Sequence, residues 1–399
     1  MSFLSKETAI CRGASDMWIE RTVEHRLSER ADQTPVIILV GPRGTGKREL
    51  TRRLFPNWTH VPLDRSDVVL RVSGDPAEFL QELPAPCILD HLQYAPFLLG
   101  GIDASLRGSC RWIFTCTYLT NEMERELNRL GPAAEVIRLS TISAEELRST
   151  WISSRQRTAY CWRGGYPALW EDSNARISRF FDDYLHTFIE RDLRSLVQVK
   201  HELEFHRFLR LCAQSAGEMV NYAHLARHTK VSANTVKAWI KALERTGVIC
   251  LLPSCSGLIP RRIIKAPKLY FHDPGMLCSL LGINGSTSLE QHPRYHFIWN
   301  HIVFGELWKS LRWEPGLSLF CYRDQNGVEL DFILMKGRKV TLIQGAVESL
   351  SPERRSAFRT AGRAFRRTQR TYLAATPDTD MRGDQEEGYS CINPLYQTL

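Results

Sequence analysis

Lys47 is the residue of this chain whose chemical use is easiest to name. It closes the stretch Gly41-Pro-Arg-Gly-Thr-Gly-Lys47, a G-x-x-x-x-G-K spacing that suits a phosphate-binding loop. Glycines let backbone N–H groups turn inward around phosphate oxygens, the following helix adds its N-terminal dipole, and the lysine supplies a mobile positive charge. Gly41, Pro42, Arg43, Gly44, Thr45, Gly46 and Lys47, with Arg48 and Glu49 beyond them, are therefore the candidate nucleotide-binding residues, and ATP or ADP is the expected ligand. One position breaks the pattern. A magnesium-binding loop has Ser or Thr after the lysine, and here stands Arg48. Guanidinium offers only N–H donors and a fixed charge, so it leaves magnesium without its usual hydroxyl, although it could pair with a phosphate itself.

The elements that must hold this loop are legible around it. Val36–Val40 is a short, wholly apolar run, as a central parallel strand covered on both faces requires, and Leu50 and Leu54 open a helix after the loop. Two further apolar runs read as strands, Cys87–Asp90 and Arg111–Cys116, the second followed by Thr117. Ser143-Ala-Glu-Glu146 has capping-box spacing and opens a mainly helical stretch to about Leu203. From about Phe205 to Pro253 the pattern is helix-turn-helix: Tyr222 to His228, a turn at Lys230-Val-Ser, and a longer helix capped by Ser232 and ended by Gly247. Val236, Trp239, Ile240 and Leu243 form its buried stripe. Asn234, Lys237 and Lys241 face outward and are the candidate DNA-contacting residues, because such a helix reads the major groove with its N-terminal side chains. His224 and His228 have metal-compatible i, i+4 spacing, but no third ligand is near in sequence, so no metal site is expected.

Taken in order, several stretches resemble the prokaryotic AAA-type (AAA+ superfamily) ATP-binding proteins with a P-loop core, a winged helix and a C-terminal PD-(D/E)XK nuclease-like domain. They are Gly41–Lys47, Leu63-Asp64, Asp75–Leu83, Leu89-Asp-His-Leu-Gln-Tyr-Ala-Pro96, Gly164-Gly-Tyr-Pro167, Tyr184–Asp192 and Lys268–Asp273. The resemblance implies an α/β fold with a parallel-sheet core over residues 1–142, a helical lid over 143–203, a winged helix over 204–272 and a nuclease-like α+β domain over 273–399. It implies that Asp90 is the acid that organises magnesium and that Thr115 and Thr117 stand where γ-phosphate sensors lie. His91 takes the place of the glutamate that polarises attacking water. Arg155, Arg157, Arg163 and Arg191 become lid candidates for phosphate contact. In the last domain the middle element survives as Glu329-Leu-Asp331, with Asp331 in the metal-ligand place. The next element reads Ile343-Gln344-Gly-Ala346, without the acid and the lysine that such nucleases use. Nuclease activity is not expected. The leading expectation is an ATP- or ADP-binding pseudo-ATPase with slow or absent hydrolysis, acting as a nucleotide-dependent binding or regulatory protein. Two alternatives stand beside it: an active ATPase in which Arg48 and His91 form a variant site with Asp90, and a DNA-binding winged-helix regulator with a vestigial loop.

Composition limits the partners. The chain has 399 residues, 43% hydrophobic and 24% charged, ordinary for a globular protein. No apolar run approaches a membrane span, and the N-terminus has no continuous apolar segment of a secretory signal. Eleven Cys without a CxxC pair fit reduced thiols and a cytoplasmic location. The net charge of +8 leans toward anionic partners, and it clusters in Arg354, Arg355, Arg359, Arg363, Arg366, Arg367 and Arg370. Phe358, Ala361 and Phe365 recur at helical spacing there, so the 354–370 segment reads as one helix with a basic face, a second candidate surface for DNA.

Overall fold

The computed structural model describes residues 18–397 apart from 104, 149, 151–153, 172–175, 198–201, 256–263, 311–313, 366–367 and 378–388. The first seventeen residues and Arg366 and Arg367, used above, lie outside the described residues.

Five strands alternate with helices in the first part of the chain: β1 (Val36–Val40), β2 (Thr59–Pro62), β3 (Cys87–Asp90), β4 (Trp112–Cys116) and β5 (Ala134–Arg138). They form one parallel sheet in the order β2-β3-β4-β1-β5. Helices α1 (Glu24–Ala31), α2 (Lys47–Leu54), α3 (Ser66–Gly74), α4 (Pro76–Glu82) and α5 (Asn121–Leu130) accompany it. Side chains alternate across a strand, so the all-apolar β1 feeds two cores. Ile38 joins Leu89 and Phe114 on one face, and Ile37 and Leu39 join Ile113, Leu27 and Leu50 on the other. The order also puts the carboxyl ends of β1, β3 and β4 side by side, the edge at which open α/β sheets hold ligands.

The middle is helical: α6 (Ala144–Leu147), α7 (Ser154–Arg163), α8 (Ala168–Glu171) and α9 (Ile177–Phe188), which runs into one π turn, Ile189–Leu193. The Ser143 hydroxyl and the Glu146 carboxylate cap each other's backbone N–H at the start of α6. Next come α10 (Glu202–Gln214), α11 (Tyr222–Thr229) and α12 (Ala233–Arg245), then an antiparallel pair, β6 (Ile249–Leu252) and β7 (Lys268–Phe271). Ser232 Oγ accepts from Thr235 N at 3.0 Å, and Gly247 turns the chain after α12 at a φ of 71°. Val236, Trp239, Ile240 and Leu243 are buried, while Asn234, Lys237 and Lys241 are exposed.

Three helices, α13 (Pro274–Leu280), α14 (Ser286–Glu290) and α15 (Tyr295–Lys309), lead to a second sheet. Its strands are β8 (Leu319–Arg323), β9 (Glu329–Lys336), β10 (Lys339–Gly345), β11 (Gln369–Ala375) and β12 (Ser390–Ile392). Their order is β12-β11-β10-β9-β8, antiparallel from β8 to β10 and parallel from β10 to β12. One apolar core joins the middle helices to this part, running through Tyr160, Phe181, Trp239, Phe271 and Phe304 to Phe332.

One expectation is corrected here. The 354–370 segment is not one helix: α16 (Pro352–Gly362) stops early, a short 3-10 turn follows over Arg363–Phe365, and Arg370 belongs to β11. Gly362, its last residue, lies against β11, since a Cβ there would stand 2.5 Å from the Tyr372 hydroxyl. Phe358, Ala361 and Phe365 are buried as the periodicity predicts. The arginines, however, are split, and Arg354 turns inward.

Candidate functional site

The loop after β1 is shaped by close approach and by backbone conformation. A Cβ on Gly41 would lie 2.0 Å from the Leu139 carbonyl, so only glycine fits where β1 leaves the sheet. Gly44 and Gly46 take left-handed φ values of 75° and 89°, which glycine adopts without steric cost. Thr45 is fully buried and its hydroxyl donates to the Pro42 carbonyl at 2.9 Å, pinning the loop from inside. Arg21, which the sequence did not single out, braces the loop from outside. It donates to the Thr45 carbonyl at 2.9 Å and the Ser140 carbonyl at 2.7 Å, and Glu146 pairs with it at 3.2 Å.

Each cation of the loop already has a partner within the chain. Lys47 Nζ donates to the carbonyls of Gly41 (2.7 Å) and Pro42 (2.8 Å). Burial lowers the Lys47 pKa to about 8, against the opposing pull of Cys116, and the Arg43 charge pushes it in the same direction as burial. Arg43 makes a bidentate pair with Asp192 of the π turn, Nε to Oδ2 at 2.7 Å and Nη2 to Oδ1 at 3.1 Å. Burial alone would depress the Arg43 guanidinium, but Asp192 outweighs it and raises it. Arg48 Nε lies 3.4 Å from Asp90 Oδ2, with the Arg48 side chain about half exposed and Asp90 buried.

Asp90 ends β3 with both oxygens committed differently. Oδ1 accepts from the Thr115 hydroxyl at 2.9 Å. Oδ2 has no hydrogen bond and faces Arg48 and, at 3.6 Å, His60 Nδ1. His91, the next residue, has a left-handed φ of 68°, and burial lowers its pKa against the opposing charges of Asp64 and Asp90. Thr117 meets Gln93 instead of Asp90, through N to Oε1 at 3.3 Å and Nε2 to Oγ1 at 3.4 Å. The fold thus brings Asp90, His91, Thr115 and Thr117 to the carboxyl edge of the sheet beside the loop, and Glu49 lies in the first turn of α2. Magnesium does not fit this donor set: no hydroxyl stands at position 48, and a guanidinium faces the one unbonded Asp90 oxygen.

Beside the loop lies a cavity of about 240 Å³, walled by Trp18, Ile19, Gly44, Ile142, Pro167 and Trp170. Tyr166 and Pro167 pack within 3.6 Å of where side chains on Gly44 and Gly46 would begin. The Gly164–Pro167 stretch therefore forms one wall of the loop. Of the four arginines considered in the helical region, Arg163 stacks on Trp170 and Arg157 on Tyr396, while Arg155 and Arg191 are exposed.

The second sheet holds the other acid cluster, at a cavity of about 890 Å³. Asp331 Oδ2 accepts from Arg354 (2.6 Å) and from Gly345 N (3.0 Å), and its Oδ1 lies 3.4 Å from Lys268 Nζ. Lys268 also pairs with Glu329 at 2.5 Å. Burial favours a neutral Asp331, but Lys268 and Arg354 overcome it and hold the carboxyl below its usual range. Gln344 reaches the backbone of Asp331 and Glu329 at 3.3 and 3.5 Å, and Ala346 is buried. The cations Lys268 and Arg354 occupy the acids here, so this donor set does not fit a metal either.

Residues 154–287 match a family described as a domain of unknown function, DUF8612. Over 354 residues the chain is 28% identical to the uncharacterized protein Rv2008c of Mycobacterium tuberculosis, covering 86% of this chain and 78% of that one. The uncharacterized protein Mb2031c of Mycobacterium bovis matches to the same extent. Among solved structures, a Walker-type ATPase of Pyrococcus abyssi is similar at a TM-score of 0.43 and 14% identity, over 66% of this chain and 96% of that one. The RuvB Holliday junction branch migration motor of Thermotoga maritima is similar at 0.30 and 17%, over 58% and 86%. These structural likenesses are distant. No helix among the described residues is long and apolar enough to cross a membrane.

Proposed function

We propose that this chain is an AAA-type nucleotide-binding protein that holds ATP or ADP without magnesium and hydrolyses it slowly or not at all. The observation that carries this is the approach of Arg48 to Asp90. A fixed charge on the first turn of α2 lies 3.4 Å from the acid that would otherwise organise a hydrated cation. Arg48 supplies the neutralising charge from the chain itself, and it cannot release or reposition a water for attack. His91, held neutral by burial, lacks the permanent negative charge that a water-polarising glutamate would bring.

Nucleotide supplies the phosphate anions; the chain supplies the rest. The loop N–H groups and the α2 N-terminus receive those anions, and Lys47 exchanges the carbonyls of Gly41 and Pro42 for them. The cavity between Trp18, Ile142 and Trp170, which Arg21, Glu49 and Glu171 also line, is the place this reading gives to a base. In this proposal α6 to the π turn form a lid, α10 to β7 a winged helix, and α15 to β12 a nuclease-like fold whose acids are paired off. The exposed Asn234, Lys237 and Lys241 support nucleic-acid contact by α12 as a separate, weaker activity.

Calorimetry with ADP and ATP, in magnesium and in EDTA, tests this together with a phosphate-release assay. Binding indifferent to EDTA and release at background support it. Turnover that disappears in His91→Ala establishes an active variant site instead, and no binding by the wild type leaves the loop vestigial.

A further inference from the structure

The Arg43–Asp192 pair joins the phosphate loop to a helix 149 positions further along the chain. It has three features that a surface ion pair lacks. It is bidentate; the Asp192 carboxylate is wholly buried; and Asp192 lies in the single π turn of the molecule's described residues, at the end of α9. Single π turns tend to mark functional positions, because they cost hydrogen-bond geometry. The pair is supported in turn, as the Asp192 carbonyl accepts from Ser195 Oγ at 2.7 Å and Ser195 Oγ meets the Tyr118 hydroxyl at 2.7 Å. Tyr118 directly follows Thr117 at the end of β4, so the arrangement is closed around the sheet edge.

Two outcomes can be imagined when an anion fills the loop. Arg43 could leave Asp192 for the phosphate, or it could serve both. Leaving would strand a carboxylate with no solvent access, which is strongly unfavourable. Serving both is stereochemically open. Asp192 occupies the Nε and one Nη2 proton and Tyr94 takes a further hydrogen bond, while a guanidinium carries five N–H groups in a fixed fork, so N–H groups remain for an anion. The Arg43 charge is already felt at both Lys47 and His91. We infer that Asp192 is a positioning residue, which holds Arg43 so that its remaining N–H groups meet the terminal phosphate of a nucleoside triphosphate and make the loop prefer tri- over diphosphate.

This inference rests on nucleotide binding at the loop, and the test separates the two. The full chain is titrated calorimetrically, in EDTA, with ADP and with a non-hydrolysable ATP analogue. The variants are Asp192→Asn, Arg43→Met, and the double variant Arg43→Met/Asp192→Leu, which replaces the pair with apolar groups so that no charge is stranded. The expected result is that Asp192→Asn lowers affinity for the triphosphate by about tenfold, the worth of one charge-assisted hydrogen bond, and leaves ADP unchanged. Arg43→Met and the double variant should show the same selective loss, and adding Asp192→Asn to Arg43→Met should change nothing further. Equal losses for both nucleotides in the folded double variant would make the pair merely structural and overturn the inference. Tighter triphosphate binding by Asp192→Asn would mean that Arg43 is released on binding, and would overturn it as well. A wild type that binds neither nucleotide removes the proposed function first, and this inference with it.

Discussion

Two buried acids, Asp90 and Asp331, stand at the edges of the two sheets, and both face arginine. The likeness ends there. Asp331 is held by Arg354 at 2.6 Å and approached by Lys268, whose side chain is 2% exposed, so its charge is cancelled inside the protein. Asp90 has one guanidinium at 3.4 Å on a side chain 47% exposed to solvent, and an oxygen without a hydrogen bond. Around the first acid the guanidinium is loosely tied, and it stands beside the loop whose Gly41 and Pro42 carbonyls hold Lys47. Around the second the cations are locked. Under the proposed function the two acids therefore differ in kind: one sits in a cluster that only stabilises, the other in a charge arrangement open to a ligand.

The sharpest way to break that contrast is to remove one acid. Asp331→Ala should destabilise the protein by about 3–5 kcal/mol in denaturant unfolding, because Arg354 loses its carboxylate and the buried Lys268 keeps only Glu329. Its ADP affinity should not change. Lys47→Ala should do the opposite, lowering nucleotide affinity by about 100-fold with little effect on the unfolding midpoint. If Lys47→Ala unfolds the protein as readily as Asp331→Ala, the two sites are not different in kind.

Proton linkage gives the next largest effect. Burial lowers the Lys47 pKa to about 8 in the free protein, and bound phosphate would raise it, so binding takes up a proton above that pH. ADP affinity should accordingly be nearly flat below pH 7 and fall by about tenfold between pH 7 and pH 9, measured by titration in buffers of different ionisation enthalpy. Arg48→Thr restores a hydroxyl at the loop, and should convert EDTA-indifferent binding into binding that magnesium tightens severalfold. The smallest effect belongs to His91→Ala, which should leave nucleotide affinity within about twofold, as its neutral ring holds no charge for phosphate.

Much of the first site could be read in the sequence because its signals are local. Five apolar residues, three glycines and a lysine lie within twelve positions, and each has a backbone reason to be there. Asp90 ends an apolar run in the sequence, Thr117 follows the next one, and the resemblance names Thr115 and Thr117 together as sensor-like. Asp192, Arg21 and Trp18 were not singled out, since nothing in their own neighbourhoods records a partner on the loop; the Arg43–Asp192 pair spans 149 positions. Lys268 shows the same limit. In sequence it opens a strand, whereas in the fold it is the buried counter-ion of two acids on a different sheet. The 354–370 helix was overextended for another reason. Apolar spacing fits both a helix and the 3-10 turn that replaces its last part, and the contact of Gly362 with Tyr372 at its end is tertiary.

Gly247 remains. Its left-handed turn closes α12, and a Cβ there would lie 2.9 Å from Pro42 Cγ in the phosphate loop. The end of α12 and the candidate phosphate loop therefore meet closely at Gly247 and Pro42. A side chain at position 247 would have to displace the Pro42 ring, so the place of the loop and the end of α12 are set together, with the exposed Asn234 at the other end of that helix.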